Sequence, residues 1–513
     1  MGALCRAAVL WGGIAKNAAG GRPAGLIDWE DWERKKRMQF TSFAYVGFFA
    51  AVFAVYWAAP ARRRWAVGLA ASLGFYALFG LPMLAVLVLC TAVSYAGGLW
   101  LEARRGQKHV LALCVGAALL PLLFFKYFDV LFGAYVPQAI SAFSLMMPVG
   151  LSFFTFKTVA YLAEVYKGTL SACRHPGHYA LYVSFFPQVS MGPIQRPGDL
   201  LAQLAAPHDF DPRQAMGGAQ IVLWGVFEKL VVADNLIFYI DFAYTKSARV
   251  IGSSVFLASL LYAVQLYADF AGYSHIAIGC MRLLGFSVPE NFRAPYTAAS
   301  VREFWNRWHI SLSSWLRDYI YIPLGGSRCG TVRTCCNLLI TFLVSGLWHG
   351  VGLQFAVWGL LHGCYLVIGR LTEPLRARLW RLLPLAREGL PARILRTAVT
   401  LLLVWVGWVF FRADSLSHAL RLFAQMTDGF PYSLQTLKNG AVMMGLNRQM
   451  VLRIAISTVP FFLVDLAARR DGVSVWLPEQ KRWLRLVLCY FALAAILFGS
   501  PYGGAATPIY FQF

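Results

Sequence analysis

Apolar residues along this chain run in blocks rather than alternating with polar ones. The blocks fall at residues 41–59, 65–80, 83–101, 110–125, 149–166, 178–190, 219–239, 255–280, 337–348, 352–371, 395–412, 451–468 and 484–500, with short polar turns between them. A helix needs about 20 apolar residues to cross a hydrocarbon core. Lipid offers no partner for a free N–H or C=O, so a block of this length forms a helix, which satisfies its own backbone. A β-barrel would show short strands of alternating character instead, and none is visible. Several blocks are short for a crossing. The pattern predicts an all-α polytopic membrane protein with about 11 transmembrane helices, the remainder being re-entrant or interfacial.

Composition excludes the competing classes. Of 513 residues, 58% are hydrophobic and 14% charged, where soluble domains carry roughly 25% charged residues. The net charge is +22. A nucleic-acid binder would be basic but not this apolar; here the basic surplus belongs to cytoplasmic loops facing anionic headgroups. The cluster Arg62–Arg64, then Arg104, Arg105 and Lys108, then Lys167 and Arg174, recurs after alternate pairs of blocks, and a further basic stretch runs from Arg370 to Arg396. Residues 1–37 break the pattern: an acidic run, Asp28 to Glu33, is followed by Arg34-Lys35-Lys36-Arg37, which argues for the opposite orientation of the first span. We expect translation to start at Met38 and residues 38–513 to form one membrane domain. Of the ten cysteines, none forms a Cys-x-x-Cys pair, and Cys90, Cys114, Cys280, Cys364 and Cys489 lie in apolar blocks, where they act as small hydrophobic residues.

Polar residues then stand out where they are costly. Charged side chains at membrane depth cost about 2.5–3.5 kcal/mol each on insertion scales. They concentrate between Ser300 and Tyr319, the stretch "SVREFWNRWHISLSSWLRDY". Read as one helix, Glu303 and Arg307 pair at i, i+4, and Arg302, Trp305 and His309 share a face. Such a helix would line a polar cavity. A second feature is "SGLWHG" at 345–350, a histidine between glycines in an apolar block. A neutral imidazole takes a proton near pH 7, and the glycines let a substrate or another helix approach. His362 lies 13 residues beyond His349 and would point about 140° away on a continuous helix. His109, His175, His178, His208 and His418 fall near loops and are read as solvated. There is no HExxH pair, Walker A loop or G-x-S-x-G elbow; Asp209-Phe210-Asp211 is an Asp-x-Asp of the kind some metal-dependent sugar transferases use, but alone it is read as loop, and no metal is expected.

Both histidine motifs, with their surroundings, resemble the membrane-bound O-acyltransferase family, in its bacterial alginate O-acetylase branch. The resemblance runs from Met38 to Phe513. It rests on "MPVGLSFFTFKTVAYLAEVYKG" (147–168), "FFPQVSMGPIQRPGDL" (185–200), "YADFAGYSHIAIG" (267–279), "GFSVPENFRAPY" (285–296), "EFWNRWHISLSSWLRDYIYIPLGGSR" (303–328), "SGLWHG" (345–350), "VGWVFFRA" (406–413) and the ending "IYFQF". It implies helices around a central tunnel, and acetyl transfer from a cytoplasmic thioester such as acetyl-CoA to an extracytoplasmic polysaccharide. It also implies residence in the bacterial inner membrane and a periplasmic acetyltransferase or acyl-acceptor protein as partner, met through the terminal "FQF". Nucleic acid has no part in it. His349 corresponds to the family's catalytic base and His309 to its second active-site histidine. Two positions depart from the pattern: His275 replaces an acidic residue after "GYS", with Asp269 retained, and Glu164 stands where many relatives have Asp.

On this reading His349 removes the proton from an acceptor hydroxyl as it attacks the thioester carbonyl, for which a general base typically contributes 10²–10⁴-fold. His309 positions the acceptor or steadies the oxyanion, with Asn306 or Ser311. Trp305, Arg307, Asp318, Trp348 and Asp269 line the tunnel. Thioester transfer needs no metal or redox cofactor. The alternative substrates are D-alanyl groups for teichoic acid, or acetyl groups for peptidoglycan. The alternative outside enzymes is a transporter, which would show pseudo-symmetric halves; none is seen.

Overall fold

A computed structural model describes residues 39–136, 140, 147–189, 191–382 and 389–501. The expected start at Met38, the segment before it and the terminal "FQF" lie outside the described residues. The first half runs α1 Phe43–Ala58, α2 Arg64–Ala77, α3 Leu81–Ala103, α4 Lys108–Phe132, α5 Leu151–Lys167, α6 Pro176–Ser184, α7 Pro197–Ala205, α8 Pro212–Phe227, α9 Asp234–Thr245 and α10 Gly252–Leu283. The second half runs α11 Val301–Arg307, α12 Ile310–Leu316, α13 Thr331–His349, α14 Leu353–Leu371, α15 Glu373–Leu382, α16 Leu390–Arg412, α17 Leu416–Thr427, α18 Leu434–Met443, α19 Arg448–Ala467, α20 Val473–Glu479 and α21 Arg482–Gly499. The all-α polytopic architecture read from the sequence is the observed one, and the helices follow the apolar blocks closely.

Seven of them are long and apolar enough to cross a membrane: α3, α4, α10, α13, α16, α19 and α21. The reading of about 11 counted blocks that fold as shorter pieces. The block at 178–190 is one, since α6 ends at Ser184 and a single turn follows at Phe186–Val189. Burial sorts the spans into layers. In α10, 67% of the apolar window is covered by protein, against 6% in α21, so α10 is the spine and α21 faces hydrocarbon. Helix α5 is covered all round from Leu151 to Leu162, the signature of an interior helix.

Glycine sets the spacing of the spine. A Cβ on Gly225 of α8 would stand 2.6 Å from the Gly272 carbonyl oxygen of α10, and one on Gly279 would stand 2.6 Å from that of Gly218. Backbones this close gain dispersion contacts that lipid tails cannot match. At the end of α8 the helix widens into a π turn, Glu228–Ala233. Such single π turns are frequent at functional sites. Here it leaves the consecutive residues Glu228 and Lys229 both buried at 1% exposure.

Candidate active site

The stretch 300–319 is not one helix. Helix α11 closes at Trp308, whose N–H bonds Phe304 O, and His309 then adopts φ 44°, ψ 54° before α12 begins. Left-handed geometry in a non-glycine residue persists only where its surroundings impose it. Here the loop after α10 does so: Arg293 N donates to Arg307 O at 3.0 Å, and Ile310 N to Asn291 O at 2.9 Å. The expected shared face of Arg302, Trp305 and His309 therefore does not exist. Arg302 is exposed, while Trp305 packs on Phe342 and His362, and His309 on Phe270. The Glu303–Arg307 pair does form, at 2.5 Å, and Arg307 also reaches Thr297 Oγ1 at 2.7 Å.

Asn291 holds the His309 ring. Its Oδ1 accepts from Ser311 N at 3.2 Å and Ser311 Oγ at 3.0 Å, and lies 3.2 Å from His309 Nδ1. A backbone N–H can only donate, so the atom facing it is the amide oxygen, and His309 Nδ1 must carry hydrogen. Nε2 then bears the lone pair. The ring stands edge-on to Phe270 at 4.6 Å and 6.4 Å from Trp348. Ser311 is thus committed to Asn291, and Asn306 is exposed; neither sits free beside the ring as an oxyanion donor.

His349 is the last residue of α13. Its ring packs on Trp348 at 4.5 Å, Trp358 at 5.0 Å and Phe411 at 4.9 Å. Trp348 is therefore a neighbour of both imidazoles. The flanking glycines serve helix approach. A Cβ on Gly346 would lie 2.2 Å from Phe355 O, and one on Gly350 would lie 2.2 Å from the Phe355 ring. The last carbonyls of α13 have no helical partner of their own. Helix α4 supplies donors: Tyr127 OH bonds Leu347 O at 2.6 Å, and Lys126 Nζ bonds Trp348 O.

His362 also joins the cluster, against expectation. The chain breaks at Gly350–Gly352 and α14 folds back along α13, so the 140° argument, which assumed one helix, does not apply. Trp305 Nε1 donates to His362 Nδ1 at 3.3 Å, and Trp358 packs on His362 at 5.1 Å as well as on His349. His208 and His418, read as solvated, are partnered: His208 Nε2 lies 3.0 Å from Tyr56 OH, and His418 Nδ1 lies 3.5 Å from Asp414.

The remaining predicted residues lie elsewhere. Trp348 continues through Phe156, at 5.2 Å, to Trp315, stacked on Phe156 at 4.2 Å, and on to Tyr319 at 5.2 Å. Asp318 lies at this far end, bound to Arg196 at 2.6 Å and Arg317 at 2.7 Å. Burial first, and then the Glu164 carboxylate 2.5 Å away, push the Tyr319 phenol up. Asp269 is 2.6 Å from Lys229, which also binds Asp234. His275 lies between two carboxylates, 2.6 Å from Glu228 and 3.1 Å from Glu290; an acidic side chain there would make a third.

Sequence reading missed Asn291, Lys126 and His362. Lys126 alone left a signal, as a cation among aromatics at "FFKYF". The other two depend on chain reversals.

Known proteins share this arrangement's sequence. Residues 175–404, which contain His309, His349 and His362, match the membrane-bound O-acyltransferase family. The chain is 34% identical over 445 residues to a probable alginate O-acetylase of Azotobacter vinelandii, covering 84% of each. The chain belongs to this family. It is therefore an acyltransferase, built as a multi-pass membrane protein. It is also 35% identical over 426 residues to the probable alginate O-acetylase of Pseudomonas aeruginosa, covering 80% of this chain and 78% of that one. It is 31% identical over 457 residues to the peptidoglycan O-acetyltransferase of Helicobacter pylori, covering 81% and 85%.

Proposed function

We propose that this membrane-bound O-acyltransferase moves acetyl groups from a cytoplasmic thioester, acetyl-CoA or similar, to hydroxyls of an extracytoplasmic polysaccharide such as alginate, in the bacterial inner membrane. One observation supports the chemistry above all: His309, at the turn into α12, and His349, at the end of α13, are both buried and both neighbour the Trp348 ring, at 6.4 and 4.5 Å.

His349 takes the hydroxyl proton as the oxygen attacks the thioester carbonyl; the tetrahedral adduct then expels the thiolate, which recovers that proton from the imidazolium. His309, with hydrogen on Nδ1, offers Nε2 to a neighbouring hydroxyl of the acceptor, so it orients the acceptor and leaves the single proton of the attacking hydroxyl to His349. Lys126, bonded to Trp348 O, holds the end of α13 that carries His349. A periplasmic acetyltransferase or acyl-acceptor protein relays the group to the polymer. The similarity to a peptidoglycan O-acetyltransferase favours that polymer as the second acceptor.

The test is His349→Ala in a producing cell whose own enzyme is deleted. Polymer O-acetylation falls to background while protein level and membrane insertion match wild type. Wild-type acetylation by that variant refutes the base assignment.

A further inference from the structure

The buried polar network beyond the two histidines has a direction, and it ends on His309. We propose that Asn291 is the positioning residue that fixes the ring and tautomer of His309, and that the paired residues Ser274-His275 and Glu290-Asn291 form the clamp that holds it there. This rests on the acyl-transfer reading for its catalytic consequence, but not for its geometry.

Two consecutive residues on α10 face two consecutive residues of the loop that follows. Ser274 Oγ accepts from Asn291 Nδ2 at 3.1 Å, and His275 Nε2 lies 3.1 Å from Glu290 Oε1. Each partner is anchored again behind. His275 Nδ1 lies 2.6 Å from Glu228 Oε2, and Trp224 Nε1 donates to Glu228 Oε1 at 2.8 Å. Glu290 Oε2 accepts from Ser474 N at 3.2 Å and from Ser474 Oγ, at the start of α20. The space is closed as well, since a Cβ on Gly472 would fall 2.3 Å from Glu290 Cγ. All four clamp residues are 5% exposed or less.

Asn291 passes this rigidity on. Its carbonyl oxygen takes the first N–H of α12, and its Oδ1 takes Ser311 N, Ser311 Oγ and His309 Nδ1. One residue thus sets both the left-handed backbone of His309 and the orientation of its ring. Aspartate at 291 would keep the acceptor oxygen, and the Ser274 hydroxyl can turn to donate to it. Leucine has nearly the same shape and cannot accept.

The experiment uses inverted membrane vesicles from a producing cell, full-length variants and labelled acetyl-CoA, with label counted in polymer. Asn291→Leu should lower the maximal rate about 10²-fold, the penalty of misplacing a reacting group by about 1 Å, with the KM for acetyl-CoA unchanged. Asn291→Asp should recover most of that loss, and Ser274→Ala should fall between. A parallel measurement needs no turnover: ¹⁵N-histidine spectra of the full chain in nanodiscs should show His309 as the Nδ1–H tautomer, and a mixture in Asn291→Leu. Unchanged rates in Asn291→Leu, equal losses in the Asp and Leu variants, or an Nε2–H tautomer in the wild type each overturn the proposal. Wild-type vesicles that transfer no label overturn the acyl-transfer reading instead, and the tautomer measurement still decides the clamp.

Discussion

Gly346→Ala is a one-methyl perturbation whose consequence can be worked from distances. An added Cβ would stand 2.2 Å from Phe355 O and 3.1 Å from Gly359 Cα, both on α14. Ordinary contact begins near 3.4 Å, so α13 and α14 must part by about 1 Å, an overpacking that costs about 1–3 kcal/mol. The added methyl meets backbone rather than a side chain, so no rotamer change relieves it. Gly346 lies one turn before His349, so the displacement falls on the proposed base. A shift of about 1 Å in a reacting group lowers turnover on the order of 10²-fold. The assay is paired: thermal unfolding in detergent, and label transfer in vesicles. Gly369, on the same α14 with nothing within 4 Å of its added Cβ, is the control. Gly369→Ala should leave transfer intact and stabilise by about 0.4–1 kcal/mol. If Gly346→Ala unfolds and transfers like wild type, close α13–α14 contact does not position His349.

Two further predictions follow from single contacts. Lys126→Met removes a charged donor from Trp348 O, an interaction worth about 1.5–3 kcal/mol; kcat should fall about ten- to hundredfold with KM for the thioester held, and an unchanged kcat would remove Lys126 from the site. The His418 ring 3.5 Å away, its largest influence, holds the Asp414 carboxyl below its usual range. A carboxyl depressed in the folded state adds stability above its unfolded pKa and loses it as pH falls through the folded value; thermal unfolding of Asp414→Asn should therefore depend less on pH across the acidic range than that of wild type, and parallel profiles would refute the coupling.

The residues alone were enough to read an all-helical membrane protein, to place most of its helix ends, and to single out His309 and His349 as candidates for its chemistry. Those features are local. Hydrocarbon forces each apolar block to satisfy its own backbone, and a charge or imidazole inside such a block is visible as an exception. The ion pair of Glu303 with Arg307 was legible for the same reason, being one helical turn long. The rest was hidden wherever the chain reverses. The break at His309 comes from Asn291, which is 18 residues earlier and looks like any loop asparagine. His362 joins His349 only because α14 folds back through the glycine contact at 346 and 359. Lys126 reaches α13 across 222 residues of sequence, and His275 shows its meaning only between Glu228 and Glu290. Periodicity registers which face of one helix is apolar; it carries no information about which distant donor meets which acceptor once those faces pack.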